Sequence, residues 1–175
     1  MGAGRCPEAV VFPSRDTRHR PAPGGEALNQ DFRDLLAALL AAQARFLVVG
    51  AHALGVHGVP RATGDLDVWV AADVSNAARV WSALGVFGAP LNALAISQGD
   101  FARPDVVVQL GLPPHRIDLL TSISGVTFDD AWPGRVLHEI AGLQVPFIGR
   151  ADLIRNKRAS GRTKDRADLE ALGES

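Results

Sequence analysis

The chain has a single cysteine, Cys6, which excludes an internal disulfide framework and any cysteine-rich zinc site. No apolar run approaches the roughly 18 residues needed to span a bilayer. The opening MGAGRCPEAVVFP lacks the apolar core of a signal peptide. It begins Met-Gly, but position 6 is Cys where a myristoylation pattern requires Ser or Thr. A cytoplasmic protein with no membrane attachment is therefore expected. There is no internal repeat, and the net charge of -1 argues against a wholly basic nucleic-acid binder. The rest is ordinary for a globular protein: 175 residues, 47% hydrophobic and 21% charged, enough for one domain with a real core.

Residues 1 to about 27 mix Pro, Gly and Arg without periodicity and are expected to form a mobile tail before a single domain over 28–175. Asn29 is placed to cap a helix, and Phe32, Leu35, Leu36, Leu39 and Leu40 give it one apolar face to about Gln43. RFLVV (45–49) reads as a buried strand ending in Gly50, followed by a short helix that Gly58 and Pro60 end. DLDVWVA is the next strand, and SNAARVWSALGVFG a helix with Ser75 as a possible cap. DVVVQLG and RIDLLTS are two further strands joined by the turn-forming LPPH. GRVLHEIAG and LQVPFIG are spaced to pair across Gly142, and helices over about 150–159 and 164–172 close the chain. The order predicts an α+β (mixed α/β) domain with five or six strands and a C-terminal helical pair.

Within this frame RATGDLDVWV (61–70) is anomalous, because aspartate is depleted from strands. Alternation along a strand points Asp65 and Asp67 to one face, their Cα atoms roughly 6.5–7 Å apart. Two carboxylates so close repel unless a cation sits between them, and Mg²⁺ favours such oxygen ligands. Taken alone, the pair also reads as a solvated strand entrance with Gly64 making a turn. Asp118, in the apolar strand RIDLL, is the candidate third ligand, since three carboxylates can hold the two metals of a phosphoryl transfer. By itself Asp118 reads as half of an edge-strand salt bridge with Arg116 or Arg61. The two-metal reading requires Asp118 on a strand beside Asp65 and Asp67, facing the same way. Gly50 sits where a strand turns into a helix, a junction whose free N–H groups suit phosphates. The segment 150–166 concentrates Arg150, Arg155, Lys157, Arg158, Arg162, Lys164 and Arg166, read either as a solvated face or as cations for phosphates or a nucleic-acid backbone.

Other features carry less. His52 and His57 lie about 140° apart on a helix and form no two-histidine metal face. His57 reads as packing or surface and His115 as a turn residue. Trp69, Trp81 and Trp132 read as core, and Asp129 with Asp130 as a helix-entry pair.

Together these segments resemble the nucleotidyltransferase superfamily that includes DNA polymerase β, most of all its AbiEii-type toxin enzymes and their small relatives. FLVVGAHALGVHGVPRATGDLDVWV is similar to the family's strand, glycine turn, short helix and Asp-hydrophobic-Asp segment. RIDLL matches the strand of the third carboxylate, and LIRNKRASGRTKDRADLEAL the Lys-x4-Arg motif, here Lys157 to Arg162, with its acidic helix. The resemblance implies a nucleotidyltransferase fold and transfer of an NMP from an NTP to an acceptor hydroxyl. It implies Asp65, Asp67 and Asp118 as ligands of two Mg²⁺ ions, with Mn²⁺ as a substitute, and Asp118 as an aid to activating the hydroxyl. Gly50, Ala51, His52, Arg61, Thr63, Lys157, Arg162 and Lys164 are implied around the nucleotide, with Lys157 also catalytic. Asp168, or else Asp165, fills the final acidic position. Ala51 departs from the Gly or Ser of many relatives, so His52 is the candidate substitute for a missing hydroxyl contact. The implied acceptor is a tRNA 3′ end, in a toxin–antitoxin setting. A cognate toxin or antitoxin protein, a small molecule, or a non-catalytic nucleotide-binding role are the alternatives.

Overall fold

The computed structural model describes residues 29–93 and 95–174; the expected N-terminal tail and Cys6 lie outside them. The element order is α1 (Gln30–Ala41), β1 (Phe46–Val49), α2 (Gly50–Val56), β2 (Leu66–Val70), α3 (Val74–Phe87), β3 (Val107–Leu110), β4 (Ile117–Leu120), α4 (Phe128–Ala131), β5 (Val136–Ile140), β6 (Leu143–Phe147), α5 (Arg150–Ser160) and α6 (Thr163–Ala171). The six strands form one mixed sheet in the order β3-β4-β2-β1-β6-β5. This is the expected α+β architecture, with the C-terminal helical pair α5 and α6 packed together.

Helix α1 forms where Phe32, Leu35, Leu36 and Leu39 make one buried stripe. The Asn29 side chain accepts a hydrogen bond from the Asp31 N–H at 2.8 Å, satisfying a donor the helix leaves unpaired. Every residue of β1 is buried, as suits a strand with partners on both edges. Helix α3 is capped by Asp73, whose side chain accepts from the Asn76 N–H, rather than by Ser75. Asp73 holds the extended conformation a cap needs, while Ser75 already lies inside the first turn. The β5–β6 hairpin turns at Ala141 and Gly142, both at positive φ, the backbone a tight two-residue hairpin requires. A 3-10 turn over Gln98–Ala102, unforeseen from the sequence, is fixed by the Ser97–Asp100 capping box and by fully buried Phe101. Trp69 is core, whereas Trp81 and Trp132 are half-buried against it.

Register places the charged residues. β1 pairs antiparallel with β2, setting Val49 opposite Asp67. β2 pairs parallel with β4, setting Asp67 opposite Asp118. β3 brings Gln109 opposite Asp118. One row therefore crosses four strands at one end of the sheet. Just before β2, Gly64 lies against the loop between β3 and β4, where a Cβ would come within 1.8 Å of the Pro114 carbonyl oxygen.

Gly64→Ala is accordingly expected to cost about 1–3 kcal/mol through forced backbone displacement. Gly55→Ala, inside α2 with nothing within 4 Å of the new methyl, is expected to stabilise by about 0.5–1 kcal/mol. Chemical denaturation of both variants checks the opposite signs.

Candidate active site

Asp67 and Asp118 are register partners on adjacent parallel strands, so their side chains share a face with Cα atoms about 4.8 Å apart. Asp65, two residues before Asp67, joins them from the approach to β2. The Thr63 hydroxyl accepts from the Asp65 N–H and donates to its carbonyl, both at 3.2 Å, closing the turn that presents it. Asp118 is buried, while Asp65 and Asp67 are half-buried.

Two neighbours answer this concentration of charge. Arg116 donates through Nε to Asp118 Oδ1 at 2.7 Å and through Nη2 to Asp118 Oδ2 at 3.0 Å and Asp65 Oδ2 at 3.1 Å. Lys164 is exposed on α6, and its charge favours the ionised form of Asp67. Burial first, and then the charges of Asp118 and Asp65, still push the Asp67 carboxyl above its ordinary value, against the pull of Lys164 and Arg116. The Arg116 guanidinium is held more firmly protonated, chiefly by its bonds to Asp118.

Gly50 begins α2 at φ +66, and a Cβ there would lie 2.1 Å from Asp67 Oδ2. The Asp67 carboxylate thus leans over the Gly50 Cα, and both the positive φ and the contact require glycine. Ala51 and His52 are half-buried in the first turn of α2, with the His52 ring edge-on to Phe32 at 6.0 Å. His57 Nε2 lies 2.8 Å from the Ile148 carbonyl, and His115 is exposed in the β3–β4 loop. Asp129 and Asp130 occupy the first turn of α4.

The C-terminal basic segment is arranged differently from the expected phosphate-facing array. Lys157 is 5% exposed and donates to Asp165 at 2.8 Å and Asp168 at 2.7 Å. Arg162 also binds Asp165, at 2.7 Å, and Arg61, from the α2–β2 loop, binds Asp168 at 2.9 Å. Burial would raise the Asp165 carboxyl, but hydrogen bonds from Lys157 and Arg162 outweigh it and hold the group far below the usual carboxylate range. Arg155 pairs with Asp152, and Arg150 and Arg158 with Glu174. Most of the positive charge of 150–166 is therefore paired with carboxylates of the chain itself, at the surface for the arginines and in the interior for Lys157, which presents no ammonium to a phosphate. The spacing of Leu153, Ile154 and Lys157 places the lysine on the buried face of α5.

Among the described residues no group of three or more His, Cys, Asp or Glu side chains is gathered as a metal cage. The donor chemistry nevertheless suits Mg²⁺, which is commonly held by one or two carboxylates plus substrate phosphates. Asp67 is open to such an ion, whereas Asp118 has both oxygens and Asp65 one oxygen engaged by Arg116. The salt bridge of Asp118 with Arg116, the alternative that the sequence offers to a metal ligand, is thus present, and Arg61 pairs with Asp168 instead.

Elsewhere, a cavity of about 300 Å³ lined by Arg45, Trp69, Asp73, Thr121 and Phe128 lies at the opposite end of the strands. No described helix is long and apolar enough to cross a membrane.

The architecture is thus a six-stranded mixed sheet with carboxylates converging from two adjacent strands at one end. It is similar to the crystal structure of a "putative nucleotidyltransferase" from Thermotoga maritima, with a TM-score of 0.53 and 14% identity. The match covers 83% of this chain and 94% of that one. At that identity the likeness is one of fold. No family profile and no curated protein matches the chain.

Two outcomes follow from the charges. Lys157→Met leaves Asp165 and Asp168 buried with less compensation, and is expected to cost about 3–5 kcal/mol in denaturant unfolding. Asp67 has the opposite sign. A carboxyl whose folded pKa is raised binds its proton more tightly folded than unfolded, so its contribution to stability falls as pH rises from the ordinary carboxylate value through the folded one. Asp67→Asn is therefore expected to raise Tm at pH 7, with the gain shrinking as the pH is lowered through that window.

Proposed function

We propose that the chain is a Mg²⁺-dependent nucleotidyltransferase that moves an NMP from an NTP to an acceptor hydroxyl, akin to the AbiEii-type toxin enzymes. The observation that carries this reading is the register that sets Asp67 beside Asp118, with Asp65 on the same side. Asp65 and Asp67, completed by Asp118, would hold the cation, which supplies charge neutralisation on the phosphates when bound. The attacking hydroxyl oxygen forms a bond to the α-phosphorus while the bond to the bridging oxygen of the β-phosphate breaks, and pyrophosphate leaves. Asp118 takes the hydroxyl proton. In-line geometry demands that both oxygens be fixed; the Gly50 turn and the first turn of α2, with Ala51 and His52, lie where the triphosphate would be bounded. Exposed Lys164, whose charge already reaches Asp67, is the phosphate cation in this reading. Lys157 acts at one remove, by fixing Asp168 and through it Arg61.

The acceptor is proposed to be a tRNA 3′ end. Labelled NTPs, Mg²⁺ and total tRNA incubated with wild type should yield labelled tRNA, and the Asp65→Ala, Asp67→Ala double variant none above the protein-free control. Equal labelling by the two proteins rejects the catalytic assignment. Labelling of a co-expressed neighbour protein, seen as an added NMP by mass spectrometry, instead points to protein nucleotidylation. One observation favours a second, non-catalytic reading: Arg116, Lys157 and Arg61 are all committed to internal ion pairs. Binding of NTP with Mg²⁺ and no pyrophosphate release with any acceptor would select it.

A further inference from the structure

The charge on Asp118 and Asp65 is answered in this structure by a residue of the chain itself. Arg116 engages both oxygens of Asp118 and shares Nη2 with Asp65 Oδ2. Two-point guanidinium–carboxylate bonds of this kind are among the stronger polar contacts a protein makes. A divalent cation that draws on these oxygens meets a like charge already bonded to them. The guanidinium also has somewhere to go: its side chain is 28% exposed, and residues 112–115 immediately before it are exposed. Asp67 is the carboxylate of the three that Arg116 does not hydrogen-bond, so an arriving ion finds one ligand open and two held.

We propose that Arg116 is the resident counter-ion of the carboxylate site, and that loading a divalent cation onto Asp65, Asp67 and Asp118 requires the guanidinium to leave Asp118 and Asp65. The proposal rests on the reading of these carboxylates as the metal ligands. It makes metal entry an exchange of one cation for another. Phosphates arriving with the metal give the released guanidinium an anionic partner, so the exchange is easier with nucleotide present than with metal alone. Arg116 is in this sense a positioning residue: it ties Asp65 to Asp118 in the absence of metal.

Mn²⁺ titrated into metal-free protein, with free Mn²⁺ followed by electron paramagnetic resonance, tests this without reference to turnover. Arg116→Gln is expected to bind about tenfold or more tightly than wild type, given the strength of hydrogen bonds to charged groups. Arg116→Lys, which keeps the charge but not the fork, should fall between them. Adding Asp67→Asn to Arg116→Gln should remove the gain. Equal or weaker binding by Arg116→Gln, while Asp67→Asn still abolishes binding, overturns the exchange and leaves the metal site standing. Absence of saturable binding in every protein overturns both. If Arg116→Gln does not fold, wild type alone decides: the Arg116 Nε–H resonance should shift on Mg²⁺ addition, and an unchanged resonance overturns the exchange.

Discussion

Like charge held at short range by apolar pairing is the constraint around which this end of the molecule is built. β2 and β4 pair through Leu66 with Ile117, Val68 with Leu119 and Trp69 with Leu120, nearly all of them buried. A slip of one residue would turn each of those side chains to the wrong face. The repulsion between Asp67 and Asp118 is small against that penalty, so the sheet imposes the contact. The surroundings then accommodate it: glycine at position 50, a forked guanidinium at Arg116 and a lysine at 164 whose field reaches Asp67.

The second charge cluster follows another logic. Lys157, Asp165, Asp168, Arg61 and Arg162 alternate in sign, and each carboxylate receives two cationic donors. It is closed on itself and holds α5, α6 and the α2–β2 loop together. The carboxylates at the sheet end have an excess of negative charge instead. Negative excess is what a cation site requires, whereas the brace sets three cations against two carboxylates and has no negative charge left over for a metal.

Much of this was legible in the chain, and the reasons are specific. The stripes of α1 and α3, the apolar runs of β1, β2 and β4, and the turn at Gly142 follow from local periodicity and turn chemistry. Asp65, Asp67 and Asp118 stood out because carboxylates in apolar strands demand a reason. The cap of α3 lies two residues before the expected Ser75, because Asp73 and Ser75 are both good caps and only backbone conformation separates them. The Gln98–Ala102 turn has one buried side chain and no period to read. The charge of Lys157 argues for an outward position, but its spacing from Leu153 and Ile154 turns it inward. Pairing within 150–166 depended on Asp168 meeting Arg61, a contact between distant parts of the chain that no local pattern announces.

That last contact bears on how the molecule is made. Arg61 and Asp168 are separated by 107 positions, and Lys157 waits on the same carboxylate. During synthesis β1, α2 and β2 emerge long before α6 does. Until α6 leaves the ribosome, the loop that leads into the first two aspartates lacks its tether, and a lysine destined for the interior lacks its counter-charges. Closure over so long a span is slow relative to local folding. The tether of the α2–β2 loop therefore cannot close before α6 has been made, whereas the pairing of β2 with β4 does not wait for it.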